Sequence, residues 1–245
     1  MPVRTLKAAA EFVDRVGLAL VFPKDDLVLP SLWEAAGGGD EYSIRDAEGN
    51  FVRWTKPMEF VWPAKSDLVS AGLVCGGKHL RRRASLVSLD ALPALYAVAH
   101  DEDELEPVER DILELVREQG PATTREIPEL LPQYERKRVR SAIDRLEGRL
   151  VLTNAGLEET DGWPAIVVDL VERRYAARLR KLPPRDEARR LLVERLLGAV
   201  GELSAEDVRG AFGWRKADCL AALEATDAPT RDEDGITLWT SARRR

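Results

Sequence analysis

Two strings of elements, each running helix, helix, helix, strand, strand, predict an α+β protein built of tandem winged-helix (helix-turn-helix) modules. A mixed α/β unit precedes them. Each string contains the same capping-box pattern, and the third helix of the first string is rich in basic residues. The predicted domains are an N-terminal unit (1–100), a winged-helix module (101–182) and a second, degenerate winged-helix module (183–245).

The N-terminal unit alternates helical and extended patterns. Thr5 is a favourable N-cap for a helix that ends at Gly17. The apolar stretch VGLALVFP (16–23) follows, and within it Leu18 to Phe22 predict a short strand with both faces buried. The later predictions are a brief helix in PSLWEAAGGG, a hairpin in RDAEGNFVRW, a helix around 64–71, extended chain in LVCGGKHLRRRASLVS and a helix over 89–99.

The two winged-helix strings are related by an internal repeat. The first is predicted as helices at about 107–118, 124–131 and 134–147 and strands at 149–153 and 163–169. The sequences GPATTREI (120–127) and GELSAEDV (201–208) both read G-x-x-[ST]-x-x-[DE]-[IV], a glycine that ends one helix and a capping box that starts the next. Their matching positions predict a duplicated module.

The third helix of the winged-helix module at 101–182 is the principal candidate for DNA contact. Val139, Ile143 and Leu146 form its buried stripe. Residues 133–149 contain 6 basic and 3 acidic side chains in a protein with a net charge of −6. The corresponding helix of helix-turn-helix proteins enters the major groove, and the alternative is an ordinary solvated face. The candidate residues are Arg136, Lys137, Arg138, Arg140, Ser141 and Arg145.

A second basic cluster lies in KHLRRR, with candidate residues Lys78, Arg81, Arg82 and Arg83. On a continuous strand the three arginines would alternate between faces, so that not all could be idle surface. The cluster is predicted to contact phosphate beside the winged-helix module at 101–182. The alternative is salt bridging to the acidic segment HDEDELEP (100–107).

Composition narrows the classes of function. The 2 cysteines and 2 histidines lack metal-ligand spacing, so no metal or other cofactor is expected. No apolar run is long enough to cross a membrane and no signal peptide is evident, so a cytoplasmic location with no membrane partner is expected. Trp33, Trp54 and Trp62 are interpreted as core residues, with stacking on an extruded base as the alternative.

These features resemble the AlkZ/YcaQ-type family of winged-helix proteins, whose characterised members are DNA glycosylases for alkylated and crosslinked DNA. The similar stretches are FVDRVGLALVFP, LPSLWEA, KHLRRRASLVSLDALP, ILELVREQGPATTREI and the last module through FGW. The family's catalytic pair lies in a strand reading roughly G-x-x-Q-x-[QD]. The resemblance puts that pair at Leu20 and Phe22, which offer neither charge nor a hydrogen bond.

The first functional hypothesis is therefore a DNA-binding protein of a short, AlkZ-related branch that has no catalytic residues. A second is an active glycosylase that uses non-standard residues, for which Asp25 and Asp26 are the nearby acids. A third is a scaffold whose winged helices bind a protein partner, which the acidic net charge favours.

Overall fold

Three strings of elements follow one another along the chain in one order: helix, short strand, helix, helix, strand, strand. The computed structural model describes residues 2–241. Within that range no helix is long and apolar enough to cross a membrane. In every string the short strand pairs antiparallel with the last strand, which gives the three the same winged-helix topology.

The first string occupies the N-terminal unit. Its elements are α1 (Leu6–Val16), β1 (Leu18–Leu20), α2 (Leu32–Ala35), β2 (Ser43–Arg45), β3 (Phe51–Trp54), α3 (Lys56–Ser70), β4 (Val74–Leu80) and β5 (Arg83–Ser88), followed by α4 (Leu92–Ala99). The β2–β3 hairpin is an insertion between the second and third helices of the string. The unit therefore has the predicted mixed α/β content, and its winged-helix order was not detected because this insertion and the 21–30 loop separate its elements.

The other two strings are the predicted tandem modules. The middle module comprises α5 (Pro107–Gln119), β6 (Ala122–Thr123), α6 (Glu126–Leu130), α7 (Arg136–Gly148), β7 (Leu152–Glu158) and β8 (Ala165–Leu170), followed by α8 (Val171–Arg174). The last module comprises α9 (Arg185–Val200), β9 (Glu202–Leu203), α10 (Ala205–Phe212), α11 (Lys216–Glu224), β10 (Thr230–Glu233) and β11 (Ile236–Thr240).

A capping box marks the second helix of the middle and last strings. Ser204 and Asp207 exchange backbone and side-chain hydrogen bonds at 2.8 and 3.2 Å, and Thr123 and Glu126 do so at 2.9 and 3.1 Å. The duplicated boxes are thus confirmed. Before α2, the Ser31 hydroxyl accepts a hydrogen bond from the Glu34 N–H at 3.1 Å, so the serine and glutamate of SLWE mark the same point of the first string.

A common sheet joins the first and middle modules, and a common core joins the first and last. A six-stranded sheet runs in the order β1-β5-β4-β7-β8-β6, and the step from the first module to the middle one is the pairing of Gly76 with Asn154. Helix α9 packs on α4, and one apolar core contains residues of the first and last modules. The domain boundaries at 100 and 182 remain predictions, since one sheet joins the first and middle units and one core joins the first and last.

Candidate nucleic-acid interface

Helix α7 presents its basic side chains to solvent at its N-terminal end. Val139, Ile143 and Leu146 are buried as the periodicity predicted, so the opposite face is exposed. Arg136, Lys137, Arg138 and Arg140 are all exposed there. Among residues 2–241, no carboxylate lies within 4 Å of the charged atoms of Lys137 or Arg140. These two cations are therefore available to a ligand without first breaking an ion pair.

The other basic residues of α7 have protein partners. Arg136 makes an exposed ion pair with Glu129 at 3.4 Å, and Arg138 lies 3.8 Å from Glu106. Exposed pairs of this kind are weak, so either arginine can exchange its carboxylate for a phosphate.

Arg145 is held much more firmly. Its Nε donates to Glu109 at 2.6 Å, and its other nitrogens contact Glu106 at 3.1 Å and the Ser141 hydroxyl at 3.2 Å. The Glu109 side chain is only 1% exposed. Because removal of Arg145 would leave a buried carboxylate without its cation, the arginine first of all ties α7 to the start of α5. Ser141 belongs to the same contact.

The arginine cluster of the first module lies at the tip of a hairpin. The expectation that Arg81, Arg82 and Arg83 alternate along a strand is wrong, because the chain reverses there and Leu80 pairs with Arg83. Arg81 and Arg82 have φ values of 50° and 59°, as a two-residue hairpin turn requires. All three side chains are exposed, and in the described residues 2–241 none has a carboxylate within 4 Å.

The hairpin tip sits between the middle and last modules. Arg81 lies over Gly213, where an added Cβ would come within 2.5 Å of the arginine Nη1. The Cγ of Arg82 would lie 3.7 Å from a Cβ at Gly148, the last residue of α7. The tip and the basic start of α7 are therefore at opposite ends of one helix of 13 residues, about 18 Å apart at 1.5 Å per residue.

Residues with a Cβ are strained at positive φ. Replacing Arg82 is therefore expected to change stability and DNA affinity in opposite directions. Arg82→Gly should raise the free energy of unfolding by about 0.5–1 kcal/mol, because glycine adopts this conformation freely. The same change should weaken DNA binding if Arg82 contacts phosphate. Urea unfolding and a DNA titration would measure the two effects. The matched control is Arg83→Gly in β5, which should lower stability, and equal effects of the two changes would contradict the strain.

Lys78 and His79 connect strand β4 to the end of α7, next to the buried side chain of Glu147. Lys78 Nζ pairs with Asp144 at 2.6 Å, and the ring Nδ1–H of His79 donates to the Glu147 carbonyl at 2.8 Å. His79 is buried, and its burial lowers the pKa of the ring. The side chain of Glu147 is buried as well, and that burial raises its pKa to about 8. Glu147 was not among the predicted site residues, although its position four residues after Ile143 places it on the buried face.

The raised pKa of Glu147 predicts a specific dependence of stability on pH. The folded protein binds this proton more tightly than the unfolded chain, whose ordinary value is 4.5. The contribution is thus complete below about pH 4.5 and is lost as the pH rises through about 8. The free energy of unfolding of Glu147→Gln minus that of the wild type should therefore increase by about 2–4 kcal/mol as the pH is raised from about 5 to about 9.

Urea unfolding of both proteins at the two pH values measures this difference. His79 titrates with the opposite sign, since its lowered pKa favours folding at high pH. It is present in both proteins and cancels in the comparison. Parallel stability profiles of the two proteins would contradict the assignment.

The two positions that the resemblance gave to a catalytic pair pack against apolar and aromatic side chains. Leu20 is 0% exposed and belongs to the core shared with the last module. Phe22 packs against Trp33 and Tyr42, with ring centroids 5.7 and 5.6 Å apart. Asp25 and Asp26, the nearby acids, lie exposed in a turn after Pro23.

The tryptophans divide between core and surface. Trp33 is buried, as interpreted, whereas Trp54 and Trp62 are each 46% exposed and the core interpretation is wrong for both. Trp163, at the tip of the β7–β8 wing, is 74% exposed. Its carbonyl accepts hydrogen bonds from Arg125 at 2.8 Å and Thr160 at 2.9 Å, which fix the backbone of the wing.

Comparisons with known proteins agree with this architecture. A family model described as "DNA glycosylase AlkZ-like" matches residues 78–245, more than half of the chain. Among solved structures, the DNA glycosylase AlkZ of Streptomyces sahachiroi is similar in fold, with a TM-score of 0.58 and 16% sequence identity. The match covers 95% of this chain and 64% of the Streptomyces protein, so this chain spans less than two thirds of the length of that protein. No curated protein matches significantly.

Proposed function

Because the chain belongs to the family described as DNA glycosylase AlkZ-like, we propose that it binds duplex DNA and does not excise bases through the family's usual pair. The interface consists of the exposed start of α7 and the tip of the β4–β5 hairpin. The observation that carries the proposal is that five exposed basic side chains of these two patches have no carboxylate within 4 Å among residues 2–241. These are Arg81, Arg82, Arg83, Lys137 and Arg140.

The two patches suit contact with the phosphate backbone. Arg136, Lys137 and Arg140 lie in the first half of α7, the half of a recognition helix that reaches base edges and phosphates in helix-turn-helix proteins. The separation of about 18 Å along α7 lets the hairpin tip contact a different stretch of backbone. Lys78 is paired with Asp144 and Arg145 with Glu109, so we assign both a supporting role.

The absence of excision rests on Leu20 and Phe22. Breaking the bond between base and sugar develops positive charge on the sugar and needs a polar group to position water. Leu20 is enclosed in the core and Phe22 lies in an aromatic cluster, so neither can stabilise that charge or orient that water.

A salt-series mobility-shift titration, with abasic-site detection on the same samples, tests both parts. We expect duplex binding that weakens steeply with salt, because phosphate contacts release counterions, and no abasic product from alkylated DNA. Absence of binding at low salt would overturn the DNA-binding part and favour a protein-binding scaffold. Rapid formation of abasic sites would overturn the non-catalytic part and select a glycosylase with other residues.

A further inference from the structure

A cavity of about 560 Å³ opens where the first and middle modules meet. Its volume falls within the range of small-molecule sites. Four elements or hairpins form its walls: α3, the β4–β5 hairpin, the end of α7 and the β7–β8 wing. Val21, which follows β1, also lines it, although Leu20 beside it belongs to the core.

The rim of the cavity is apolar and exposed. Trp62 and Trp163 stand on it, together with Leu157 and Ile166, and each of the four is at least 41% exposed. Large apolar side chains that cluster at one opening mark a binding site. The carbonyl of Trp163 accepts hydrogen bonds from Arg125 and Thr160, which hold the backbone that carries the ring.

The cavity also contains a buried carboxyl group. Glu147 lines it and is 6% exposed. Its Oε1 would lie 3.1 Å from a Cβ at Gly77, so the carboxyl lies close against the β4 backbone. Within residues 2–241, no cation lies within 4 Å of it, since the neighbouring Lys78 pairs with Asp144. A protonated carboxyl offers one donor and one acceptor side by side.

We propose that this cavity binds an unstacked nucleobase, with its ring against Trp163 and its hydrogen-bonding edge on the Glu147 carboxyl. Every base has a face that can stack on an aromatic ring, and adenine presents an acceptor beside an amino donor, which a neutral carboxyl matches. Lys65 also lines the cavity and supplies positive charge for a phosphate. This inference rests on the proposed function for its source of bases, which is an unpaired nucleotide in a duplex.

The protonation state of Glu147 gives the proposal a pH signature. Burial raises its pKa to about 8, so the carboxyl is a donor at neutral pH and loses that hydrogen at alkaline pH. An ionised carboxylate faces the adenine ring nitrogen with two acceptors and repels it. The titratable groups that face Glu147 or line its cavity are Lys65, Cys75, Lys78, His79 and Asp144.

The test compares three probes at neutral pH: a duplex with one unpaired adenine, the matched duplex, and adenosine monophosphate. We expect the duplex with the unpaired adenine to bind about tenfold more tightly than the matched one, as stacking of one base allows. Glu147→Leu and Trp163→Ala should abolish this preference. Glu147→Gln should keep it, since an amide also has a donor and an acceptor. Trp54→Ala is the matched control, because Trp54 is 46% exposed outside this cavity.

Raising the pH to about 9 should remove the preference of the wild type and leave that of Glu147→Gln. Equal affinity for both duplexes, or a preference that survives Glu147→Leu, would overturn the cavity proposal and leave the proposed function intact. If adenosine monophosphate binds, neither duplex binds, and Glu147→Leu removes the binding, the cavity proposal would be supported and the proposed duplex binding would be overturned. Failure of all three probes to bind would overturn both.

Discussion

Reversal of two charges at the start of α7 is expected to abolish most DNA binding. Lys137→Glu together with Arg140→Glu should lower the affinity for duplex DNA by about 100-fold at low salt, because two phosphate contacts become two repulsions. The slope of log affinity against log salt should become shallower by about 1.8, or about 0.9 for each lost phosphate contact. Fluorescence anisotropy across a salt series measures both quantities.

The last module offers a control of equal charge change. Arg215→Glu with Lys216→Glu alters the start of α11, the corresponding helix, where both side chains are exposed. We expect this variant to retain its affinity within a few-fold, since α11 has far fewer basic residues than α7. Equal losses in the two variants would show that binding follows net charge and not a defined surface.

Removal of Arg145 is expected to have the largest effect on stability. Arg145→Met leaves Glu109 buried without its cation, which should cost about 3 kcal/mol in the free energy of unfolding. For a chain of this size the midpoint of thermal unfolding should fall by about 6–12 °C. Calorimetry or thermal denaturation followed by circular dichroism measures the fall.

Two further variants separate the ion pair from other effects. Glu109→Gln combined with Arg145→Met removes the unpaired charge and keeps an oxygen for the Glu106 N–H, which now donates to Glu109 at 2.9 Å. More than half of the lost stability should return. Arg138→Met breaks only an exposed pair at 3.8 Å and should change stability by less than about 0.5 kcal/mol. A loss of DNA affinity with unchanged stability in Arg145→Met would instead identify Arg145 as a contact residue.

Patterns within single segments predicted the tandem modules and the exposed basic face. The stripe Val139, Ile143, Leu146 fixes which side of α7 is buried, because side chains three and four residues apart share a face. The capping boxes at Thr123 and Ser204 are made within four residues, and both are present as hydrogen bonds. The apolar strand β1 is likewise recognisable from its own residues.

Contacts between distant segments were decided by the tertiary structure. The turn at Arg81 and Arg82 was missed because neither is the glycine or asparagine that normally indicates positive φ. Arg145 reaches Glu109 from 36 residues away, so the helix pattern alone could not distinguish it from its exposed neighbours. The winged helix of the N-terminal unit was not recognised because the β2–β3 insertion changes the spacing of its elements, although not their pairing.

The sequence by itself determined the order of elements in the two later modules, the apolar nature of positions 20 and 22, and the basic character of α7. These follow from the spacing of residue types along one segment. Only the tertiary structure decided which arginines of the two patches lack an ion-pair partner. It also placed Glu147 in a cavity wall and showed that the first module repeats the topology of the later ones. Those properties depend on which segments the fold brings together, and burial and ion pairing arise only from that proximity.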